Sequence, residues 1–495
     1  MSKKIRILCL LLALLMVSTA FVACGNASGD DTESGSGSTI DTEIATDPVE
    51  EALAELRSEV DWGGNTFGIL YVNDIAGYTE EVEAEKSATD ETSSGVINDA
   101  VFERNTLFEE YCNLKIELIP VSNTSISGRI AGEVQTATGD FQLITTTTDS
   151  AANNATSGYL YNYLDLDIDY EKEWWDAGTL DFALDGKVFF MDGPFNIVDD
   201  DVTFVMMFNK QLREEYKIEN PYDTVKNGTW TLDYFNSVIK TLATENGDGT
   251  WDEKDTYGFS TPSSIGNTFF YGAGLQFVVN NRDMDAPELV LASKMEQALN
   301  VLEIARSIVH ENNSTYAAKA GDEGLSKDIF VQGRSLFYCE AASYLRGLNA
   351  SMEREYGVIP IPKYNKEQVN YTTWRHGIGS TLSIPTSMAK DGNTEQFAMV
   401  LETYTLLSQK LVRPAYYEVM LTTRNVQDLE SSEMLDLIFL HRTYDMAMYF
   451  TGLGFGSLFS DAVMNSGSNF SSSYKSKSKN FDGQIARLLK KLQKS

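Results

Sequence analysis

Histidine is nearly missing from this chain. His310, His376 and His441 are the only three in 495 residues, and none stands in an HExxH or HxH arrangement. A histidine-built metal centre and a serine–histidine triad therefore have no foundation. Cysteine is almost as scarce: of four, Cys9 and Cys24 lie near the start, which leaves Cys112 and Cys339. Two thiols so far apart form neither a disulfide framework nor a CxxC metal site; separate buried thiols are the favoured reading, and a bridge stays open. Positive charge is in deficit, with 39 Lys+Arg against 72 Asp+Glu and a formal charge of −33. Nucleic acid is excluded as a partner, because phosphate binding depends on an excess of cations. There is no GxSxG elbow and no GxxxxGK[ST] loop. Gly452-Leu453-Gly454-Phe455-Gly456 follows a helical pattern and reads as a turn.

A long hydrophobic run is also lacking. The apolar stretch Ile7–Val17 falls short of the roughly 20 residues that span a bilayer. Lys3, Lys4 and Arg6 precede it and small residues follow, the pattern of a secretory signal over residues 1–23. It ends Phe21-Val22-Ala23-Cys24-Gly25, which resembles a bacterial lipobox with Cys24 as the lipidated residue. Cleavage there would leave the remainder at about −36. From Gly25 to Pro48 the chain is rich in Gly, Ser, Thr and Asp and cannot bury enough to order itself, so residues 24–62 read as a lipidated cysteine, a flexible tether and a lead-in helix.

What is present in quantity is apolar and aromatic: 42% hydrophobic residues, with 6 Trp, 24 Tyr and 25 Phe. Phe67–Val72 is a continuous apolar run, as expected of a strand buried on both faces. Ile97, Val101, Phe108 and Tyr111 recur at helical spacing, Leu114, Ile116 and Leu118 at strand spacing. A helix over Ile126–Ala137 leads to a strand at Phe141–Thr146. This β-α-β-α-β order predicts a parallel sheet with right-handed crossovers. Ligands of such sheets collect beyond the carboxyl ends of the strands, here Asn73-Asp74, Ser122-Asn123-Thr124 and Thr147-Thr148-Asp149. A second unit follows the polar stretch Asp199-Asp200-Asp201, read as a solvated loop. Its strands are expected at Val202–Phe208 and Ser335–Cys339, and its helices after the N-cap Thr231, at Met295–His310, Thr394–Ser408 and Ser431–Phe450. The basic tail places Ile485, Leu488, Leu489 and Leu492 on one helical face, expected to dock on the domain, with membrane binding the other reading.

Two constellations carry chemistry. Asn246, Asp248, Gly249, Thr250, Asp252 and Asp255 match the spacing of a 12-residue calcium loop, with Thr244 at the first position and Asp255 at the last. Weak Ca2+ binding is one reading; an Asx-rich turn held by its own side chains is the other. No cofactor is otherwise required. The aromatics of Trp174-Trp175-Asp176, Phe269-Phe270-Tyr271 and Trp374-Arg375 fall where loops or element ends are predicted, and flat rings beside hydrogen-bonding groups suit sugars.

Taken in order, several segments resemble a bacterial extracellular solute-binding protein of the carbohydrate type (family 1), the lipoprotein component of an ABC importer. They are GVINDAVFERNTLFEEYCNLKIE (95–117), GDFQLITTTTDSAANNATSGYLYNYLDL (139–166), EKEWWD (171–176), FNKQLREEYKIENPYDTVKNGTWTLDYF (208–235), NGDGTWDEKDTYGF (246–259), FVQGRSLFY (330–338), YGVIPIPKYN (356–365) and ESSEMLDLIF (430–439). The resemblance implies an α/β, two-lobe periplasmic-binding-protein-like fold of type II, with lobe 1 at 63–198 plus 357–388 and lobe 2 at 199–356 plus 389–495. Val202–Phe208 and Gly357–Ile361 would be hinge crossings. It implies a non-enzymatic, monomeric receptor, anchored by lipid on the outer face of the cell membrane, that passes a sugar or oligosaccharide to permease subunits. Asp149, Phe270, Tyr271 and Glu340 match its ligand-contacting loops. With Asn123, Thr148, Trp175 and Trp374 they form the candidate ligand set. A peptide or other small solute is the alternative ligand, to which Arg375 or Arg346 would lend an anionic preference; a surface-attached glycan hydrolase is the alternative activity.

Overall fold

A computed structural model describes residues 47–84 and 93–492, apart from residues 282, 285, 320, 353, 424, 425 and 428. The expected signal segment, Cys24 and the tether up to residue 46 lie outside the described residues. Asp47–Ser495 forms one compact unit. No described helix is long and apolar enough to cross a membrane.

The first element among the described residues is the helix Pro48–Arg57, whose start is written in its sequence. Proline occupies the first turn and the Asp47 side chain accepts from Val49 N at 2.9 Å, satisfying a donor that the helix itself cannot. Next come the strands β1 (Thr66–Val72), β2 (Lys115–Val121) and β3 (Leu143–Thr147). β1 is buried from Phe67 to Val72, and it pairs in parallel with β2 on one side and β3 on the other. The intervening helices are Ser93–Cys112 and Ile126–Thr136. With β4 (Phe190–Met191) and a late-arriving strand these make the lobe 1 sheet.

Lobe 2 is built on β5 (Phe204–Asn209), β6 (Tyr257–Thr261), β7 (Thr315–Ala317), β8 (Ser335–Ala341) and β9 (Tyr356–Ile359). The strand that returns to lobe 1 is β10 (Ser380–Ser383). Lobe 1 has the order β2-β1-β3-β10-β4 and lobe 2 the order β9-β5-β8-β6-β7. β10 lies antiparallel to β3 and β4, and β5 lies antiparallel to β8 and β9.

Three expectations are corrected. Gly357–Ile361 is not a crossing: Tyr356–Ile359 pairs with β5 as the edge of the lobe 2 sheet, so the return to lobe 1 falls later, between Trp374 and β10. The helix Thr394–Leu407, which the resemblance assigned to lobe 2, packs into lobe 1. There Phe397 stacks on Phe67 with ring centroids 6.2 Å apart, and Tyr404 meets Phe108 edge-on at 5.1 Å. The long helix expected over Ser431–Phe450 ends at Leu440, gives way to the two-residue strand Arg442–Thr443, and resumes only as Met446–Tyr449. The break has a cause in Asp445: its buried carboxylate accepts from Ala447 N, Phe277 N, Val278 N and the Tyr271 hydroxyl, bonds that a continuous helix would forgo.

Cys112 and Cys339 are both buried and free. Cys112 sits in the lobe 1 core and Cys339 in β8 of lobe 2, and burial pushes the Cys112 thiol up to about 12. The terminal helix Phe481–Leu492 buries Phe481, Ile485 and Leu492 against lobe 2.

Candidate functional site

The seam between the lobes is where the sequence and the structure disagree most. Asp199-Asp200-Asp201, expected as a solvated loop, forms a short helix at the crossing and is 1%, 4% and 6% exposed. Carboxylates almost never sit so deep unless paired, and here the partners come from distant parts of the chain. Arg442 Nη1 donates to Asp200 at 2.6 Å and to Asp199 at 3.1 Å, while its Nη2 reaches Asp176 of lobe 1. Asp201 accepts from Arg346 at 2.9 Å and from the Tyr416 hydroxyl at 3.0 Å, and Arg346 also holds Glu80 of lobe 1 at 2.5 Å.

The second crossing is pinned by strand alternation, which sends neighbouring side chains to opposite faces. Trp374 faces lobe 2, stacked on Phe204 at 4.8 Å with its Nε1 donating to Thr268 at 3.1 Å. Arg375 faces lobe 1 and donates to Thr148 Oγ1 at 2.6 Å, Asp192 at 3.0 Å and the Ser380 carbonyl at 2.7 Å. Gly379 is required at this point, since a Cβ there would stand 2.5 Å from the Arg375 guanidinium carbon.

Around Arg375 and Arg442 four carboxyl groups, Asp176, Asp192, Asp199 and Asp200, face two guanidiniums. Burial is the largest influence on Asp192 and Asp199 and raises both; for Asp199 the neighbouring Asp200 adds to the rise, and Arg442 opposes it. This is the behaviour of ions whose desolvation exceeds what their partners return. Glu81, wholly buried on the lobe 1 side, is pushed up to about 8 by burial despite accepting from Ser380, Asn196 and Val198 N.

Beside this network lies a cavity of about 480 Å³, within the range of small-molecule sites. Glu173, Trp175, Asp176 and Gly178 of lobe 1 form one wall. The other wall comes from Arg413 and Tyr417, four residues apart on the helix Arg413–Leu421, from Asp436, Phe439 and Leu440 on Leu429–Leu440, and from Arg442 and Tyr444. The cavity thus combines ring faces with convergent polar groups. The Trp175 indole N–H has no hydrogen-bond partner among the described residues, and Tyr444 donates to Asp176 at 3.2 Å. Burial raises the Asp436 carboxyl, against the opposing effects of Tyr417 and Arg413.

Of the candidate ligand set, Trp175 lines this cavity. Asp149 is half-buried at the start of the helix Thr148–Ala155, close enough for its charge to raise His376, whose pKa is lowered overall by burial and by Arg375. Thr148 is already engaged: its hydroxyl donates to the Gly379 carbonyl at 2.9 Å and accepts from Arg375, so it positions the crossing. Trp374 is occupied in the same way. Asn123 is exposed on the loop after β2, where its backbone N–H donates to Asp74 at 2.8 Å.

Phe270 and Tyr271 belong to the helix Ile265–Gly272 and not to a loop. Phe270 is fully buried between Phe277 and Phe459, and the Tyr271 hydroxyl donates to Asp445 at 3.0 Å. Both are core. Glu340 is buried in β8 near Tyr338 and Tyr344, pushed up to about 7 by burial. Arg413, Tyr417, Asp436, Phe439, Arg442 and Tyr444 escaped the sequence reading. The spacing of Arg413 with Tyr417, and of Asp436 with Phe439 and Leu440, was the available signal, since each set shares one helix face.

The loop holding Asn246, Asp248, Thr250, Asp252 and Asp255 turns its side chains onto its own backbone. Asp255 accepts from Asn246 N at 2.9 Å and Asp252 N at 2.7 Å, Asn246 from Asp248 N at 3.0 Å, and Asp248 from Thr250 N at 2.9 Å. Among the described residues no three acids, histidines or cysteines converge where a metal could sit. The hydrogen bonds are those of the Asx-rich turn.

No family model and no curated protein matches the chain. Solved structures do. An ABC substrate-binding protein from Listeria monocytogenes in complex with cycloalternan is 14% identical with a TM-score of 0.53, covering 85% of this chain and 99% of that one. A cyclo/maltodextrin-binding protein complexed with maltotetraose is 12% identical with a TM-score of 0.56, covering 85% and 97%. UgpB from Mycobacterium tuberculosis in complex with glycerophosphocholine is 14% identical with a TM-score of 0.51, covering 79% and 95%. At such identities the likeness establishes the fold, a two-lobe solute-binding-protein architecture.

Proposed function

We propose that the chain is a receptor that captures a sugar or oligosaccharide between its lobes and delivers it to the permease subunits of an ABC importer, held by a lipid on Cys24 at the outer face of the cell membrane and acting as a monomer. The observation that carries the ligand class is the cavity lined by Trp175, Tyr417, Phe439 and Tyr444 with Asp176, Asp436, Arg413 and Arg442 among the rings. A ring face packs against apolar C–H faces, while carboxylates and guanidiniums hold the hydroxyl edges. Contacts from both lobes make binding favour the closed arrangement, since only that arrangement supplies both walls. The fold shared with proteins solved in complex with cycloalternan and maltotetraose supports the same class. Asp176, which with Glu173 is one of two lobe 1 acids in the cavity, is tied to Arg442, which suits binding better than proton transfer.

The test is a glycan panel screened by thermal shift, followed by small-angle scattering with each binder. A binder at a hundred times its Kd stabilises the fold by about 2.7 kcal/mol, and the radius of gyration falls on binding. Trp175→Ala lowers affinity at least tenfold, and because the ring is also buried against Tyr170 and Phe195 it costs about 3–5 kcal/mol of stability, so Tyr417→Ala, at a half-buried ring of the same cavity, is read beside it. No binder across the panel, or chromatographic turnover of a bound glycan, would refute the receptor reading. One observation favours a second ligand class: Arg413 brings a guanidinium to the cavity wall, and its Nε has no hydrogen-bond partner among the described residues. An anionic solute in place of a neutral sugar would engage it, and Arg413→Gln then abolishes binding.

A further inference from the structure

The last helices reverse the charge of the molecule. Across 470–492 the chain carries Lys475, Lys477, Lys479, Arg487, Lys490 and Lys491 against a single acid, Asp482, in a protein whose formal charge is −33. Docking of the terminal helix through Phe481, Ile485 and Leu492 decides where these cations point. Lys475, Lys479, Arg487, Lys490 and Lys491 are exposed, and among the described residues none of the six is held in an ion pair. So much unneutralised positive charge on an otherwise acidic surface has a local potential opposite to that of the whole.

Under this face lies a second cavity, of about 300 Å³. Arg487 and Lys491 stand at its rim, Asn153 of lobe 1 and Gln484 add polar groups, and Phe450 and Leu453 lie within it. Cations above an apolar floor suit a phosphate ester whose organic part is only weakly polar.

We propose that the basic face of Phe470–Leu492 docks on an anionic lipid bilayer, with a headgroup phosphate seated between Arg487 and Lys491. Charge complementarity selects this partner: an acidic protein is repelled by an anionic membrane everywhere except at such a patch, which therefore sets the orientation in which the protein approaches. Each cation near an anionic surface strengthens attachment on the order of fivefold, and salt screens the effect within a Debye length. The proposal is independent of the identity of any solute between the lobes.

The experiment uses residues 24–495 with Cys24→Ser, so that no lipid anchor contributes and the compact unit from Asp47 is whole. Sedimentation with vesicles of phosphatidylcholine containing a third phosphatidylglycerol is compared with pure phosphatidylcholine vesicles. The expected result is binding to the anionic vesicles only, lost at high salt. Arg487→Gln with Lys490→Gln and Lys491→Gln weakens it on the order of a hundredfold, and the separate pair Lys475→Gln with Lys479→Gln weakens it on the order of twentyfold; unchanged melting temperature and circular dichroism certify folding. Equal binding to both vesicle types, or wild-type binding by both variants, would overturn the proposal. So would tight binding to inorganic polyphosphate at a salt concentration that releases the vesicles, which would assign the patch to a soluble polyanion.

Discussion

Arg442→Met is the sharpest test of the seam. The Arg442 side chain is 2% exposed and pairs with Asp176, Asp199 and Asp200, so its loss leaves three carboxyl groups without their shared cation, Asp199 and Asp200 buried and Asp176 at the cavity wall. Removing one partner of a buried pair costs about 3–5 kcal/mol, and with three orphans the upper end is expected at pH 8. The cost must depend on pH, and its sign follows from the groups involved. Asp199 is raised by burial and by Asp200, with Arg442 opposing; without Arg442 it rises further. The folded variant then holds a proton that the unfolded chain gives up, so its stability falls as pH rises from the unfolded carboxyl range toward the raised folded value. One extra proton held across three pH steps amounts to about 4 kcal/mol, an upper bound on the change in the gap, because Asp199 is already raised in the wild type and only its further rise separates the two proteins. Urea unfolding of wild type and variant at pH 5 and pH 8 reads this directly. The gap between them should widen toward pH 8, and adding Asp199→Asn and Asp200→Asn should recover at least half of it. A gap that stays constant with pH, or one below 1 kcal/mol, would refute the account of Asp176, Asp199 and Asp200 as strained ions held chiefly by Arg442.

Three further outcomes follow from the same geometry. Glu81 is raised from 4.5 to about 8, so it contributes stability below pH 4.5 that is lost as pH climbs to 8, on the order of 5 kcal/mol at most; Glu81→Gln flattens that part of the stability profile, and parallel profiles would contradict it. Gly379→Ala places a methyl 2.5 Å from the Arg375 guanidinium carbon, and denaturation should show a loss of about 1–3 kcal/mol; a neutral result would mean that Arg375 moves freely. Phe270→Ala removes a core ring packed 4.6 Å from Phe277 and should cost about 3–5 kcal/mol while leaving the affinity for any bound glycan within threefold. A selective loss of affinity would return Phe270 to the ligand site.

Much of the frame was legible in the residues alone. β1 announced itself through an unbroken apolar run, its parallel neighbours through the alternation of strand and helix spacing, and the docked terminal helix through one apolar stripe. These are local periodicities, set by which face of an element must leave water, and a single segment carries them. Thr231 as an N-cap, which accepts from Tyr234 N at 3.3 Å, is equally local.

What failed were the judgements on charge pairing and ring burial that required knowing a neighbour. Asp199-Asp200-Asp201 looks like a solvated charge run until Arg442 and Arg346, far away in the chain, are brought to it. An aromatic residue such as Phe270, Trp374 or Trp175 carries no mark of whether its ring meets core or cavity; of these three only Trp175 lines the cavity.

Composition and periodicity were enough to define an acidic α/β protein with alternating strands and helices and with a basic end, because both act within one segment. Where the chain crosses between lobes, which helix joins which core, and which acids and rings meet at the seam were set by the folded arrangement alone. Ion pairing and cavity walls depend on distance in space, and residues such as Asp176 and Arg442 become neighbours only once the two sheets have folded and closed on the crossings.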